Sequence, residues 1–141
     1  MRKNVLVDSG FWFALYKPKD QKEQHFQAQK IAEILGNNVV LVPFPSLYEF
    51  LNTRFVKQAL SEFKIILKTH RVDLIDDTKY KYLAHQSLLE NPKIMHRGLS
   101  LVDVVLRLML DDVNLKVDCL VTFNIADFHD VCKLRNIELL S

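Results

Sequence analysis

The sequence contains little glycine, little cysteine and no long apolar run. Its three glycines, Gly10, Gly36 and Gly98, are too scattered to form a glycine-rich phosphate loop, which excludes the two common nucleotide-binding motifs. Its two cysteines, Cys119 and Cys132, form no C-x-x-C pair, and one pair in a chain of 141 residues is no disulfide framework. We therefore predict two buried thiols in a reducing compartment.

The first residues lack the features of a signal peptide. Arg2 and Lys3 precede an apolar stretch, but Asp8 interrupts that stretch and no small-residue cleavage site follows. No apolar run approaches the roughly 18 residues that a membrane-spanning helix requires. We predict a cytoplasmic protein without a membrane segment.

The residues that are present are typical of one globular domain. Hydrophobic residues make up 49% and charged residues 26% of the chain. A chain of 141 residues can bury one core, so we expect a single domain over residues 1–141. The net charge of +2 permits a nucleic-acid partner but does not argue for one, because a dedicated electrostatic binder has clustered Lys and Arg.

Short apolar segments alternate with helical patterns along the whole chain. The apolar segments predict strands at Asn4–Val7, Val39–Val42, Val72–Ile75, Asp118–Phe123 and Ile137–Leu140. Parallel strands need a crossover connection between them, which is usually a helix. We predict a three-layer α/β/α sandwich with a mainly parallel sheet of four to five strands.

The segments between the strands predict helices, whose buried faces follow from their apolar spacing. In the helix over 22–35, we expect the buried stripe to contain Phe26, Ile31, Ile34 and Leu35. In the helix over 101–110, eight of ten residues are apolar, so burial on nearly all sides is expected. The remaining helices are predicted at 11–16, at 47–57 with a continuation or break near 58 into 59–70, from 77 or 78 to 90, and at 126–134.

Four of the seventeen acidic residues have mostly apolar neighbours: Asp8, Glu49, Asp103 and Asp127. An isolated buried carboxylate is unfavourable by several kcal/mol or takes up a proton. Asp8 follows the first strand, and open parallel sheets bind ligands outside the carboxyl ends of their strands. If the four acids converge, a cation between them would relieve their repulsion, and such oxygen-only clusters suit Mg²⁺ or Mn²⁺.

Each of these acids also has a purely structural explanation. The possibilities are a capping box, an ion pair at i,i+4 spacing, and two helix caps. Glu49 would form the capping box with Ser46, and Asp103 would form the ion pair with Arg107. Asp8 and Asp127 would cap the helices that they precede or begin. Four separate explanations would then be needed, but spacing alone does not prove convergence.

The four acids stand in segments that resemble the motifs of one known family. Residues 4–16, NVLVDSGFWFALY, resemble the opening motif of PIN domains, especially the VapC-like toxin branch. The segments PSLYEFL (45–51), LSLVDV (99–104) and LVTFNIADF (120–128) resemble the second, third and fourth motifs. The resemblance covers the whole chain in the family's order. Asn124 stands where many PIN domains have a further acid, so Asp127 is expected to serve instead.

The resemblance implies a metal-dependent endoribonuclease, the toxin of a type II toxin–antitoxin pair. One or two Mg²⁺ or Mn²⁺ ions would activate a water for attack on an RNA phosphodiester. The catalytic and metal-binding residues would be Asp8, Glu49, Asp103 and Asp127. Groups that would orient a carboxylate, a water or the substrate are Ser9, Thr122 and Asn124, and candidate phosphate contacts are Arg54, Lys57 and Arg97. The family further implies a homodimer that a small antitoxin inhibits.

Two other functions remain open. A PIN-like module that binds RNA or supports an assembly without catalysis would have the same fold. A receiver-type phosphoacceptor domain is also α/β with an acidic pocket at the strand ends. It would need a pair of acids beside the first strand and a lysine after the last, where this chain has a lone Asp8 and Ser141.

Overall fold

A computed structural model describes residues 1–16, 22–51 and 56–141, and within these ranges the chain forms five strands and eight helices. The strands are β1 (Asn4–Val7), β2 (Val39–Pro43), β3 (Arg71–Ile75), β4 (Cys119–Val121) and β5 (Glu138–Leu140). The helices are α1 (Ser9–Tyr16), α2 (Lys22–Leu35), α3 (Phe44–Phe50), α4 (Val56–Thr69), α5 (Lys81–Glu90), α6 (Pro92–Arg97), α7 (Leu101–Asp111) and α8 (Ile125–Arg135).

The strands form one parallel sheet in the order β3-β2-β1-β4-β5. The chain adds β2 and β3 on one side of β1 and then places β4 and β5 on the other side. The strand order therefore reverses between β1 and β4, where Val7 lies opposite Val121. This order differs from the 2-1-3-4-5 order of receiver-like folds, which weighs against the phosphoacceptor function.

Helices cover both faces of the sheet, which confirms the predicted three-layer α/β/α sandwich. Successive residues of a strand point to opposite faces. Val5 and Val7 accordingly pack in one core with residues of α1 to α4, whereas Leu6 packs in a second core with residues of α5, α7 and α8. Both cysteines are free and buried in these cores, as predicted. In the described ranges, no helix is long and apolar enough to cross a membrane.

An aromatic cluster around Trp12 fixes α1 against α3 and α4. The Trp12 side chain is fully buried, and its ring meets Phe11 and Phe63 edge-to-face at 4.9 and 5.3 Å between centroids. It also stacks on Tyr16 and Phe50 at 5.9 and 5.8 Å. Such pairs stabilise a core by about 0.5–1.5 kcal/mol beyond the burial of their area. The cluster therefore holds the residues that begin α1 in a fixed place relative to α3.

The buried face of α2 differs from the predicted one. Phe26 and Ile34 are 61% and 43% exposed, while Ala28, Ile31 and Leu35 are buried. The buried residues follow the i, i+3, i+7 spacing of a single helical stripe, and Phe26 lies off that stripe. The prediction that Phe26 and Ile34 are core residues was wrong.

The helix predictions near the second and third motifs also need correction. The segment expected as a helix over 47–57 begins earlier, because Pro43 is the N-cap of α3 and Pro45 lies in its first turn. Helix α6 was not expected at all. Helix α7 is not buried on nearly all sides, because Leu101 is 41% exposed and Asp103 and Arg107 are only partly buried.

We expect Trp12→Ala to lower the free energy of unfolding by about 3–5 kcal/mol, because it removes a buried ring that contacts four others. Urea unfolding followed by circular dichroism would measure the change. Leu134→Ala is the matched control, since Leu134 is 75% exposed and should change stability by less than about 0.5 kcal/mol. Equal effects of the two substitutions would contradict the aromatic cluster as the support of α1.

Candidate active site

The site is built around Asp8, which directly follows β1 where the strand order reverses. Because Val7 and Val121 are paired, the next residues of both strands, Asp8 and Thr122, emerge side by side. The Asp8 backbone N–H donates to the Val121 carbonyl at 3.0 Å, and the Thr122 hydroxyl donates to Asp8 Oδ2 at 3.0 Å. The Ser9 N–H donates to Asp8 Oδ1 at 2.7 Å. Asp8 is only 5% exposed and Thr122 is fully buried.

Ser9 connects Asp8 to Glu49. Its hydroxyl lies 3.0 Å from Glu49 Oε1, to which it donates, and 3.5 Å from Asp8 Oδ1. The capping box expected between Ser46 and Glu49 does not form, because α3 begins before Ser46 and places it inside the helix. Within the described residues the Ser46 hydroxyl has no hydrogen-bond partner. Glu49 is thus directed to Ser9 rather than to the start of its own helix.

Asp103 takes part in a capping box at the start of α7. Its Oδ2 accepts from the Ser100 N–H at 3.1 Å, and its own N–H donates to Ser100 Oγ at 3.1 Å. The alternative ion pair with Arg107 does not form. Arg107 instead donates from both terminal nitrogens to Asp130, at 2.7 and 2.8 Å.

Asp8, Glu49 and Asp103 form a group of like charges. Burial raises the pKa of Asp8 to about 6; hydrogen bonds from Thr122 and Ser9 lower it, and the charges of Asp103 and Glu49 raise it. Burial also raises the pKa of Glu49. The hydrogen bond from Ser9 lowers this pKa, and the charge of Asp103 raises it further. Asp103 therefore acts electrostatically on both Asp8 and Glu49, and Glu49 acts on Asp8.

These three carboxylates have no basic partner among the described ion pairs. Other acids of the chain have one. A hydrogen bond from Lys79 lowers the pKa of Asp112 to about 2, and Arg107 lowers the pKa of Asp130. The acidic group at the end of β1 therefore retains an unbalanced negative charge.

Asp127 lies in the first turn of α8 and is not among the charges that raise the pKa of Asp8. Its carbonyl accepts from Arg107 at 2.8 Å, and its charge acts on Arg107. It is not among the groups that raise the pKa of Glu49. The N-cap of α8 is Asn124, so Asp127 does not cap that helix. Asn124 is exposed, and its backbone N–H donates to the Thr122 hydroxyl at 3.0 Å.

The predicted phosphate contacts have different surroundings. Arg97 donates to Asp130 at 3.2 Å and to the Ala126 carbonyl at 2.9 Å, so its charge is already engaged. Lys57 is exposed on α4. Arg54 lies outside the residues that the structure describes. The role of these cations in binding RNA stays a prediction.

The acids as placed do not close around an ion. Among the described residues, no three side chains of His, Cys, Asp or Glu meet closely enough to hold a metal. Glu49 bonds to Ser9, and one oxygen of Asp103 bonds to its own helix start. The atoms of this group that could ligate a metal are all carboxylate or hydroxyl oxygens, and Mg²⁺ and Mn²⁺ prefer oxygen ligands.

We expect Asp8→Asn to stabilise the metal-free protein at neutral pH. The folded pKa of about 6 lies above the unfolded value near 3.8, so the carboxyl group favours the folded state below pH 3.8 and loses that contribution as pH rises to 6. In EDTA at pH 7.5, the Asp8→Asn substitution should raise the free energy of unfolding by roughly 1–3 kcal/mol. At pH 4 the increase should be much smaller.

Asp130→Asn is a control for which we expect the opposite change in the free energy of unfolding. The pKa of Asp130 is lowered by its hydrogen bond to Arg107, so neutralising it should destabilise the protein at pH 7.5. Urea unfolding of the three proteins at both pH values measures these differences. An Asp8→Asn protein that is less stable than the unaltered one at pH 7.5 would contradict an uncompensated buried charge.

The fold is similar to those of known toxins. VapC20 of Mycobacterium tuberculosis, a sarcin–ricin-loop-cleaving toxin, matches with a TM-score of 0.63 and 20% identity, over 89% of this chain and 94% of that one. VapBC2 of Rickettsia felis, solved with a DNA fragment from its promoter, matches with a TM-score of 0.60 and 17% identity, over 96% of both chains. Protein-family models and curated proteins give no match to the sequence. The chain therefore has the PIN-like α/β/α fold of the VapC toxins.

Proposed function

We propose that the protein is a metal-dependent endoribonuclease and the toxin of a toxin–antitoxin pair. The observation that carries this proposal is the buried Asp8 carboxylate at the strand-order reversal, coupled to Glu49 and Asp103 without a basic partner in the described chain. Perturbed acids in such a position are frequent at active sites. The similar fold of VapC20, which cleaves the sarcin–ricin loop, supports RNA as the substrate.

The acidic group fits a divalent cation by charge and by donor type. Three carboxylates close together repel one another, and a cation between them would offset that repulsion. Asp8, Glu49 and Asp103 would hold it, with Asp127 reaching in from α8. When bound, Mg²⁺ or Mn²⁺ supplies an activated water and neutralises charge that develops on the phosphate.

The neighbouring hydroxyl groups hold the carboxylates in one orientation. The Thr122 oxygen accepts from the Asn124 N–H, so its own proton is directed to Asp8 Oδ2. The Ser9 N–H fixes the other Asp8 oxygen, and the Ser9 hydroxyl fixes Glu49. This arrangement leaves Asp8 no freedom to turn away from the carboxyl edge of the sheet, which favours ligand binding in a defined geometry.

The remaining expectations belong to the same proposal. The likeness to VapBC2 supports a small antitoxin as partner. The homodimer, the cytoplasmic location and the single domain over residues 1–141 follow from the sequence and the family resemblance alone.

A catalytically inactive PIN-like module is the second candidate. It is favoured by one observation: in the described residues the acids do not meet closely enough to hold an ion. Such a module would bind RNA or support an assembly without cutting. Isothermal titration would distinguish it, since the inactive module should not bind Mn²⁺ at millimolar concentration.

We expect the purified protein to cleave RNA in Mg²⁺ or Mn²⁺ and to stop in EDTA. Asp8→Asn should lower the rate at least about 100-fold, because it removes a charged oxygen from the proposed metal site. Asp73→Asn, an exposed acid of β3, is the control and should leave the rate unchanged. Gel analysis of end-labelled RNA measures both, and full cleavage by the Asp8→Asn protein would refute the site.

Thr122→Val should reduce cleavage about 10- to 100-fold, because it removes the hydrogen bond to Asp8 while keeping the side chain's size. Thr122→Ser keeps the hydroxyl and should restore most of the rate. The apparent Mn²⁺ affinity should weaken in the Val variant and recover in the Ser variant. If Val and Ser behave alike, the hydroxyl has no part in positioning Asp8.

A further inference from the structure

We propose that a cavity between the start of α2 and the loop after β4 binds an unpaired nucleobase of the RNA, next to the phosphate that is cut. The inference rests on the proposed ribonuclease function and names a substrate feature of that site. The occupant would be a base of a single strand or loop, presented with its edges free.

The cavity adjoins the acidic group through the loop after β4. Its volume is about 600 Å³, and its walls include Phe26 of α2, Phe123 of the loop and Ile125, the first residue of α8. Phe123 directly follows Thr122, whose hydroxyl bonds to Asp8, and Ile125 follows Asn124, which donates to that hydroxyl. A nucleotide whose phosphate lies at Asp8 would have an adjacent base within reach of this cavity.

Phe26 provides a stacking surface. Its side chain is 61% exposed although it belongs to a helix with a complete buried stripe, so the core does not account for it. The Lys30 ammonium lies 5.2 Å from the ring centroid. Proteins that bind single strands combine such aromatic rings, on which bases stack, with cations that neutralise the backbone.

The polar walls match the edge of a base. Gln24 and Gln27 each offer an amide donor and acceptor, Ser141 a hydroxyl and Glu23 an acceptor for amino groups. Of the seven lining residues that belong to the described chain, four are polar, which is unlike the apolar centre of a subunit interface. A base inside a duplex could not present both its face and its pairing edge, so an unpaired base is the occupant that fits.

The structure also provides a matched aromatic residue elsewhere. Tyr82 of α5 is 74% exposed, with the Lys81 ammonium 5.2 Å from its ring centroid. It has the same aromatic–lysine pairing as Phe26 but belongs to a helix on the other face of the sheet and does not line the cavity.

The test measures RNA affinity without cleavage, in full-length protein carrying Asp8→Asn. Fluorescence anisotropy would compare a labelled single-stranded RNA with an abasic RNA of equal length. We expect Phe26→Ala to weaken binding of the normal RNA about fivefold or more and to leave the abasic RNA unaffected. Phe26→Trp should retain affinity and Phe26→Leu should not, because Leu is apolar without a stacking face. Tyr82→Ala should bind like the parent.

Three results would overturn the inference. Unchanged affinity in the Phe26→Ala and Phe26→Leu proteins would remove the base site, while RNA cleavage by the unaltered protein would still uphold the proposed function. A change from dimer to monomer in light scattering, with RNA affinity unchanged, would make the cavity a contact between copies. If the unaltered protein neither binds nor cuts RNA, the proposed function fails and the inference fails with it.

Discussion

The hydrogen bond from Thr122 to Asp8 is the interaction on which the candidate site depends. It joins the residues that follow β1 and β4, at the place where the strand order reverses, and it orients a carboxylate that is only 5% exposed. Parallel pairing of β1 with β4 brings the two side chains together, so the geometry of the site is a direct consequence of the sheet register. Glu49 and Asp103 are then added from helices on opposite faces of the sheet.

The surrounding core tolerates an arrangement that is locally unfavourable. Burial and like charges both raise the pKa of Asp8, so the ionised group opposes folding at neutral pH. The aromatic cluster around Trp12 holds α1, and hence Ser9, in place against that repulsion. Local rules are broken in this way mostly at functional sites, because a stable scaffold elsewhere compensates for them.

Much of this arrangement could be predicted from the sequence, but only where the signal is local. The apolar run before Asp8 determines both the strand and the position of the acid. The spacing of Ser46 and Glu49 predicts a capping box, but Pro43 and Pro45 start that helix earlier. Ser100 caps α7 as its sequence predicts, whereas the reciprocal hydrogen bond to the Asp103 side chain was not expected, because the spacing of Asp103 favours an ion pair with Arg107. The exposure of Phe26 could not be inferred, because tertiary packing decides which face of α2 meets the sheet.

The basic residues closest in sequence to Asp103 are engaged by another carboxylate. Arg107 stands four residues after Asp103, the spacing of a helical ion pair, yet it donates to Asp130 at 2.7 and 2.8 Å. Arg97 donates to the same carboxylate at 3.2 Å. From α8, Asp130 thus engages both guanidinium groups. Because Arg97 and Arg107 pair with Asp130, neither offsets the negative charge of the acidic group, which stays available to the metal ion that we propose.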